Sequence, residues 1–327
     1  MKAILYRRYG GPDVLALEDI PTPVPKDDEV LIRVRAASVN PLDWQYMRGR
    51  PSLLRLASGL RRPKDPRLGA DVAGQVTTVG QSVSVLKAGD EVFGTCRGSF
   101  AEYVCAKEAA LVKKPVNMSF EQAAATPIGA FSALQALRDK GRLRPGQSVL
   151  INGAGGGVGT FAVQIATVLG GEVTGVCSTL KVEPVRSLGA RRVIDYTRED
   201  FTSGGQRYDL IIDCVGSHSV SACRRVLNRE GAYVGVGGPD RGSMSVLAGL
   251  LTTLAHSAVV SQRMCVFLAR SNSQDLSFVR DLVASGKVTP LIDRRFALTA
   301  VPEAVSYLEQ GHALGKVVIE VAGENAI

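Results

Sequence analysis

Two stretches of this chain carry residue types at spacings that chemistry could use. The first is "VLINGAGGGVGTFAVQIA", residues 149–166, where an apolar run ends in a cluster of small residues and reopens as an apolar helical repeat. Read as strand, loop and helix, it puts Ala154, Gly156 and Gly159 at the three positions of a G-x-G-x-x-G fingerprint, with alanine in the first. The physical demands there are a tight turn, a bare backbone that admits a pyrophosphate, and close helix–strand packing. The phosphate then sits on the amides of the helix N-terminus. Gly157 and Val158 complete the loop, and the reading predicts dinucleotide binding over 154–159.

The second stretch is "VTGVCSTLK", residues 173–181. A dinucleotide fold usually ends its next strand, about 20 residues on, in an acid that holds the ribose hydroxyls of NAD. Cys177 stands 18 residues after Gly159, and Ser178, Thr179 and Lys181 follow it without an acid. A carboxylate would repel a 2′-phosphate, whereas hydroxyls and a cation hold one by charge-assisted hydrogen bonds. Cys177, Ser178, Thr179 and Lys181 therefore predict NADPH as the cofactor. The competing reading of Lys181 is the exposed start of the next helix.

Elements must position these residues. The first third of the chain has β-like runs, "KAILYRR", "VLALEDI", "EVLIRVRAAS" and "GQVTTVG", separated by proline-rich stretches, which predicts an irregular, mostly antiparallel domain. At Ser119 the pattern changes to an alanine-rich helical repeat, with Ser119 and Gln122 in capping-box spacing. From Ser148 the chain alternates strand-like and helix-like segments, "SVLIN", "EVTGVC", "RVIDY", "YDLIID", "SVSACRRVLN" and "GAYVGV", as a parallel sheet covered by helices requires. The last segments, "DLSFVRDLVASG", "RRFALT" and "GKVVIEVA", return to the first pattern. The expected architecture is α/β, with a β-rich catalytic domain over 1–120, a doubly wound cofactor domain over 121–264, and a return to the first domain over 265–327.

Composition bounds the function. A chain of 327 residues, 45% hydrophobic and 21% charged, buries two ordinary cores, and disorder is disfavoured. The net charge of +8 gathers largely in Arg48, Arg50, Arg55, Arg61, Arg62, Lys64 and Arg67. Aromatic residues do not interleave there as in single-strand binders, so nucleic acid is an unlikely main partner. The six cysteines form no C-x-x-C pair, which disfavours a zinc ribbon or redox dithiol and favours buried reduced thiols. The N-terminus lacks the apolar core of a signal peptide, so the expected compartment is the cytoplasm. The uncharged run 244–260, with His256 inside it, is shorter than a membrane span and reads as a packed helix near a cleft or a subunit contact.

Longer motifs point further: "ASVNPLDWQYMRG" at 37–49, "LGADVAGQVTTVG" at 68–80, "KAGDEVFG" at 87–94, "GSFAEYV" at 98–104, "GAGGGVG" at 153–159, "DYTREDF" at 195–201 and "GHALGKVVI" at 311–319. In these the chain resembles the zinc-independent quinone oxidoreductases, relatives of zeta-crystallin within the medium-chain dehydrogenase/reductase superfamily. The resemblance covers nearly the whole chain and implies a GroES-like catalytic domain, built from both chain ends, around a Rossmann domain. It also implies a homodimer.

For the site, the resemblance implies Asn40, Asp43 and Tyr46 on the nicotinamide side, with Asn40 or Tyr46 donating a hydrogen bond to the substrate carbonyl. Asp43 also reads as an acceptor that merely orients loop amides or pairs with an arginine, and Tyr46 as an ordinary pocket aromatic. Further implied cofactor positions are Ser132, Tyr196, Cys214, Val215, Gly216, Gly237, Gly238 and Lys316. Zinc-dependent members of the superfamily hold a metal with a Cys in the first motif and Gly-His-Glu in the second. Asn40 and Gly69-Ala70-Asp71 stand at those positions here, so no metal is expected. Without a Lewis acid, hydride is better delivered to an acceptor that spreads its own charge, a lipophilic quinone or another conjugated carbonyl. The alternatives are an enoyl or 2-alkenal C=C reductase, and an NADPH-binding, RNA-associated protein without catalysis.

Overall fold

Strand β3 (Glu29–Val39) carries the logic of the first unit in its burial pattern. Val30, Ile32 and Val34 enter one core, and so do Ala37 and Val39, whose numbers have the opposite parity. A register shift between Val34 and Ala36, where β3 pairs with β4 (Asp71–Val79), accounts for the change, since one extra residue exchanges the faces of all that follow. Ala36 accordingly enters a second core with Ala73 and Phe93. The same shift puts Ser38 and its register partner Asp71 on the face away from Ala37 and Val39.

The computed structural model describes residues 1–236 and 262–321. Gly237, Gly238, His256 and the run 244–260 lie outside the described residues. Two compact units emerge, one of Met1–Ile128 with Ser271–Ile327, the other of Gly129–Arg270.

In the first unit β1 (Lys2–Tyr6) pairs antiparallel with β2 (Leu15–Asp19). The main sheet has seven strands, in the order β14 (Ile292–Ala297), β15 (Lys316–Glu320), β3, β4, β5 (Glu91–Thr95) and β7 (Leu111–Lys113), with β6 (Tyr103–Lys107) paired to β3 off this path. The C-terminal strand β15 pairs antiparallel with β3, so Val317 faces Val39 across the ladder and both chain ends share one sheet.

Among the described residues the second unit holds a six-stranded parallel sheet of β8 (Ser148–Asn152), β9 (Glu172–Cys177), β10 (Arg192–Asp195), β11 (Tyr208–Asp213), β12 (Leu227–Val236) and β13 (Arg263–Phe267). Their order is β10-β9-β8-β11-β12-β13. The chain leaves β8 in one direction and resumes at β11 in the other, so a crevice opens at the carboxyl ends of those two strands, where α/β sheets bind ligands.

Two expected boundaries shift. The boundary expected at residues 120 and 121 falls inside the helix Phe120–Ala124, whose Ala123 and Ala124 pack in the first unit's second core. Ser119 and Gln122 do form the reciprocal capping bonds, but they mark a helix start and not a change of domain. The return expected at 265 falls within β13, which extends the parallel sheet. The alanine-rich helical repeat is divided into Phe120–Ala124, Pro127–Leu134 and a π-helical turn Gln135–Lys140; Pro127, which cannot donate inside a helix, begins the second piece. Among the described residues no helix is long and apolar enough to cross a membrane.

Candidate functional site

In the first unit, four polar side chains from three distant parts of the sequence meet where almost no water reaches. Ser38, Asn40, Asp71 and Lys316 are 0%, 2%, 0% and 3% exposed. Asp71 Oδ2 accepts from Ser38 Oγ at 2.7 Å, Asn40 Nδ2 at 3.0 Å and Lys316 Nζ at 3.2 Å, while Oδ1 accepts from the Ile128 amide at 3.0 Å. Lys316 Nζ also donates to Asn40 Oδ1 at 2.6 Å. A carboxylate and an ammonium buried this deeply are tolerated because their remaining hydrogen-bonding capacity is largely filled.

This arrangement changes the reading of two expected residues. The Asn40 amide has two hydrogens, one given to Asp71 and the other to the Ser38 carbonyl at 3.3 Å, so neither faces a substrate oxygen. Lys316, expected on the cofactor, is turned inward and holds Asn40 and Asp71. Asp71 and Ser38 complete the cluster and were not among the expected site residues.

Asn40 is the N-cap of the helix Pro41–Arg48, which carries Asp43, Trp44 and Tyr46. The Asp43 carboxylate reaches back to the Asn40 amide at 2.7 Å and to the Gly69 amide at 3.2 Å. It orients loop amides, one of the two roles considered for it. Burial pushes its carboxyl up to about 7, with the neighbouring Asp71 adding to the shift and the two amides opposing it. Tyr46 is half-buried against the first core and stands outside the Asp71 network.

In the second unit the glycine loop meets each of its physical demands at an identifiable residue. The left-handed backbone that the tight turn needs is at Gly153, with φ +82°, one residue before Ala154. Ala154 is therefore no defect: its methyl is buried against Gly175 of β9. A methyl on Gly159 would run into the Gly153 carbonyl, as close helix–strand packing requires. A methyl on Gly156 would meet only that carbonyl at 3.4 Å, so its bare backbone looks onto open space. Gly157 and Val158 are half-buried beside it, and the helix Gly159–Val168 begins there. An open cradle at a helix N-terminus fits a pyrophosphate.

Around that cradle, the aliphatic stem of Lys181 lies against Gly155, 2.6 Å from where a β-carbon would stand, so the lysine crosses the loop and does not merely open the next helix. Cys177 is buried, and burial pushes its thiol up to about 11, so the end of β9 presents no charge. An acid does stand nearby: Asp195, the register partner of Cys177 at the end of β10. Thr179 donates its hydroxyl to Asp195 Oδ2 at 2.6 Å, which, with Thr197, holds that carboxyl below its usual range. The Thr179 hydrogen expected for a phosphate is thus already committed. Tyr196 is 60% exposed just beyond. Ser132 is buried on the helix Pro127–Leu134, and Cys214, Val215 and Gly216 form the turn after β11.

Comparison with known proteins identifies the family of this chain. Residues 26–116 match the alcohol dehydrogenase GroES-like domain, and residues 188–319 match a family described as zinc-binding dehydrogenase. The chain is 37% identical over 334 residues to a 2-methylene-furan-3-one reductase of Solanum lycopersicum, covering 98% of this chain and 79% of the relative. It is 36% identical over 340 residues, with the same coverage, to an NADPH-dependent alkenal/one oxidoreductase of Arabidopsis thaliana chloroplasts. A quinone oxidoreductase structure from Coxiella burnetii superposes with a TM-score of 0.87 at 32% identity, covering 98% of this chain and 99% of that one.

Proposed function

This chain belongs to the quinone oxidoreductases of the medium-chain dehydrogenase/reductase superfamily, and from that premise we propose an NADPH-dependent enzyme that reduces a quinone or another conjugated carbonyl without a metal. The observation that carries the cofactor reading is the open cradle at Gly156 with Lys181 laid across the loop beside it. NADPH supplies the hydride. The amides of 156–159 would hold its pyrophosphate, and Ser178 and Lys181 its 2′-phosphate.

The metal-free reading is supported by the donor set. Zinc is held by thiolate, imidazole and carboxylate. Here the Asn40 oxygen and the Asp71 carboxylate are already bound to one cation of the chain's own, the Lys316 ammonium. Such a site has no Lewis acid to hold a localised alkoxide, and favours an acceptor whose conjugation spreads the charge before protonation. With Asn40 committed inward, Tyr46 is the side chain of this helix that supports a proton-donor role. Asp43 and Lys316 hold its N-terminus in place.

A second reading, reduction of C=C bonds beside a carbonyl, is supported by the two plant relatives. The RNA reading loses support from the basic segment, where Arg48 pairs with Glu309, Arg67 with Asp65, and Arg55 stacks 4.5 Å over Tyr9. A reducing, cytoplasmic compartment suits six free cysteines. A homodimer would join through β13, the last strand of its sheet among the described residues, beside the exposed Leu268. The deciding experiment offers NADPH deuterated at the transferring carbon to 2-alkenals, cyclic enones and quinones. The proposal expects label on the β-carbon of a reduced enone, or a deuterium isotope effect with a quinone, and NADPH favoured over NADH. Absence of turnover with all three, together with tight, salt-sensitive RNA binding, would reverse it.

A further inference from the structure

The crevice between β8 and β11 has a floor made of side chains that the hydride chemistry does not use. Asn152 ends β8 and Asp213 ends β11, and the two are register partners. Asn152 Nδ2 donates to Asp213 Oδ1 at 2.9 Å, bridging the strands at the point where their order reverses. The same Oδ1 accepts from the Val215 amide at 3.0 Å and the Gly216 amide at 2.8 Å. Tyr233 of β12 donates its hydroxyl to Oδ2 at 2.8 Å. Asp213 is 3% exposed, so this carboxylate is surrounded by four donors and almost no water.

The two backbone bonds bend residues 214–216 back over the sheet, with Gly216 at φ +71°. They also spend the amides of Val215 and Gly216, which a bare turn would aim at a ligand. The turn then lays Val215 over the glycine loop: a β-carbon on Gly153 would lie 2.6 Å from Val215 Cγ2. The wall of the crevice is therefore an apolar side chain whose position depends on one buried carboxylate.

We propose that Asp213 is a positioning residue for the cofactor: it fixes the 214–216 turn against the glycine loop and thereby shapes the switch-point crevice for the dinucleotide. This rests on the NADPH reading above. Loss of the carboxylate should let the turn move away from Gly153, so that cofactor binding weakens while acceptor binding does not.

The test is Asp213→Asn, read by titrating NADPH fluorescence and by separate KM values for NADPH and acceptor. The expected result is a Kd and KM for NADPH raised about tenfold, with the acceptor KM within about twofold of wild type, as loss of a charge-assisted anchor predicts. A role confined to fold stability would lower the yield or melting temperature without separating the two KM values. Should Asp213→Asn fail to fold, Gly216→Ala strains the turn at its left-handed residue and leaves the carboxylate in place; the same selective loss of NADPH is expected. Either folded variant binding NADPH as wild type does would overturn the proposal. Wild type that fails to bind NADPH would overturn both this and the cofactor reading.

Discussion

Replacing Lys316 with methionine should destabilise the first unit by about 3 kcal/mol. The change keeps a side chain of similar length in a site 3% exposed and removes its charge from both Asn40 Oδ1 and Asp71 Oδ2. Breaking a buried ion pair by deleting one partner typically costs about 3–5 kcal/mol, because the other charge is stranded. Asp71 retains Ser38, Asn40 and the Ile128 amide as donors, which moves the expected cost to the lower end of that range. The assay is denaturant unfolding followed by the fluorescence of the single tryptophan, Trp44, which lies on the helix that Asn40 caps. Asp71→Asn should be costly alone and less costly in the Lys316→Met background, with a coupling of about 2 kcal/mol in the double-mutant cycle. A cost below about 1 kcal/mol for Lys316→Met, or a cycle without coupling, would refute the claim that a buried cation organises this site.

Further perturbations separate the roles proposed for neighbouring residues. Lys181→Glu should raise the KM for NADPH about tenfold more than that for NADH, because a carboxylate would then meet the 2′-phosphate; equal effects in steady-state kinetics would show that the turn does not read it. Gly156→Ala should fold normally but weaken NADPH binding, since its methyl enters the open cradle, whereas Gly159→Ala should lower the melting temperature by collision with the Gly153 carbonyl; the reverse pattern would contradict the assignment. Burial holds Asp43 at about 7 against an ordinary 3.8, so the folded state binds the extra proton between those values and stability falls as pH rises from about 4 to about 7. At about 1.4 kcal/mol per pKa unit the fall is up to about 4 kcal/mol. Asp43→Asn should flatten that slope in unfolding measurements, and an unchanged slope would assign it to other groups.

What the sequence made legible follows the range of the interactions. The glycine loop could be read because its turn, cradle and packing contact fall within a few consecutive residues. Its one apparent defect, Ala154, needed the structure, since only backbone angles reveal that Gly153 makes the turn. Thr179 could be counted as a phosphate donor only while Asp195, 16 residues away on the next strand, was out of view. The Lys316–Asn40 bond joins residues 276 apart, and the faces of β3 depend on a register shift that leaves no periodic trace in "EVLIRVRAASV". Two signals were open to use. Asn152 and Asp213 are polar residues ending the apolar runs "SVLIN" and "YDLIID", at the carboxyl ends where α/β sheets build their sites.

The proposed reaction is hydride transfer from NADPH to a conjugated acceptor without a metal, with Lys316 as the cation that binds Asn40 and Asp71. The most direct test strips the protein with a chelator, verifies by elemental analysis that less than a tenth of an equivalent of zinc remains, and compares NADPH oxidation by a 2-alkenal or quinone with that by the matching saturated aldehyde. One well-placed hydrogen-bond donor is worth about 3 kcal/mol in a preorganised site, enough to assist a conjugated acceptor and too little to replace a metal. The stripped protein should turn over the conjugated acceptor in full, with kcat/KM at least about a hundredfold lower for the saturated aldehyde. Turnover lost on stripping and restored by zinc, or equal activity on the saturated aldehyde, would contradict it.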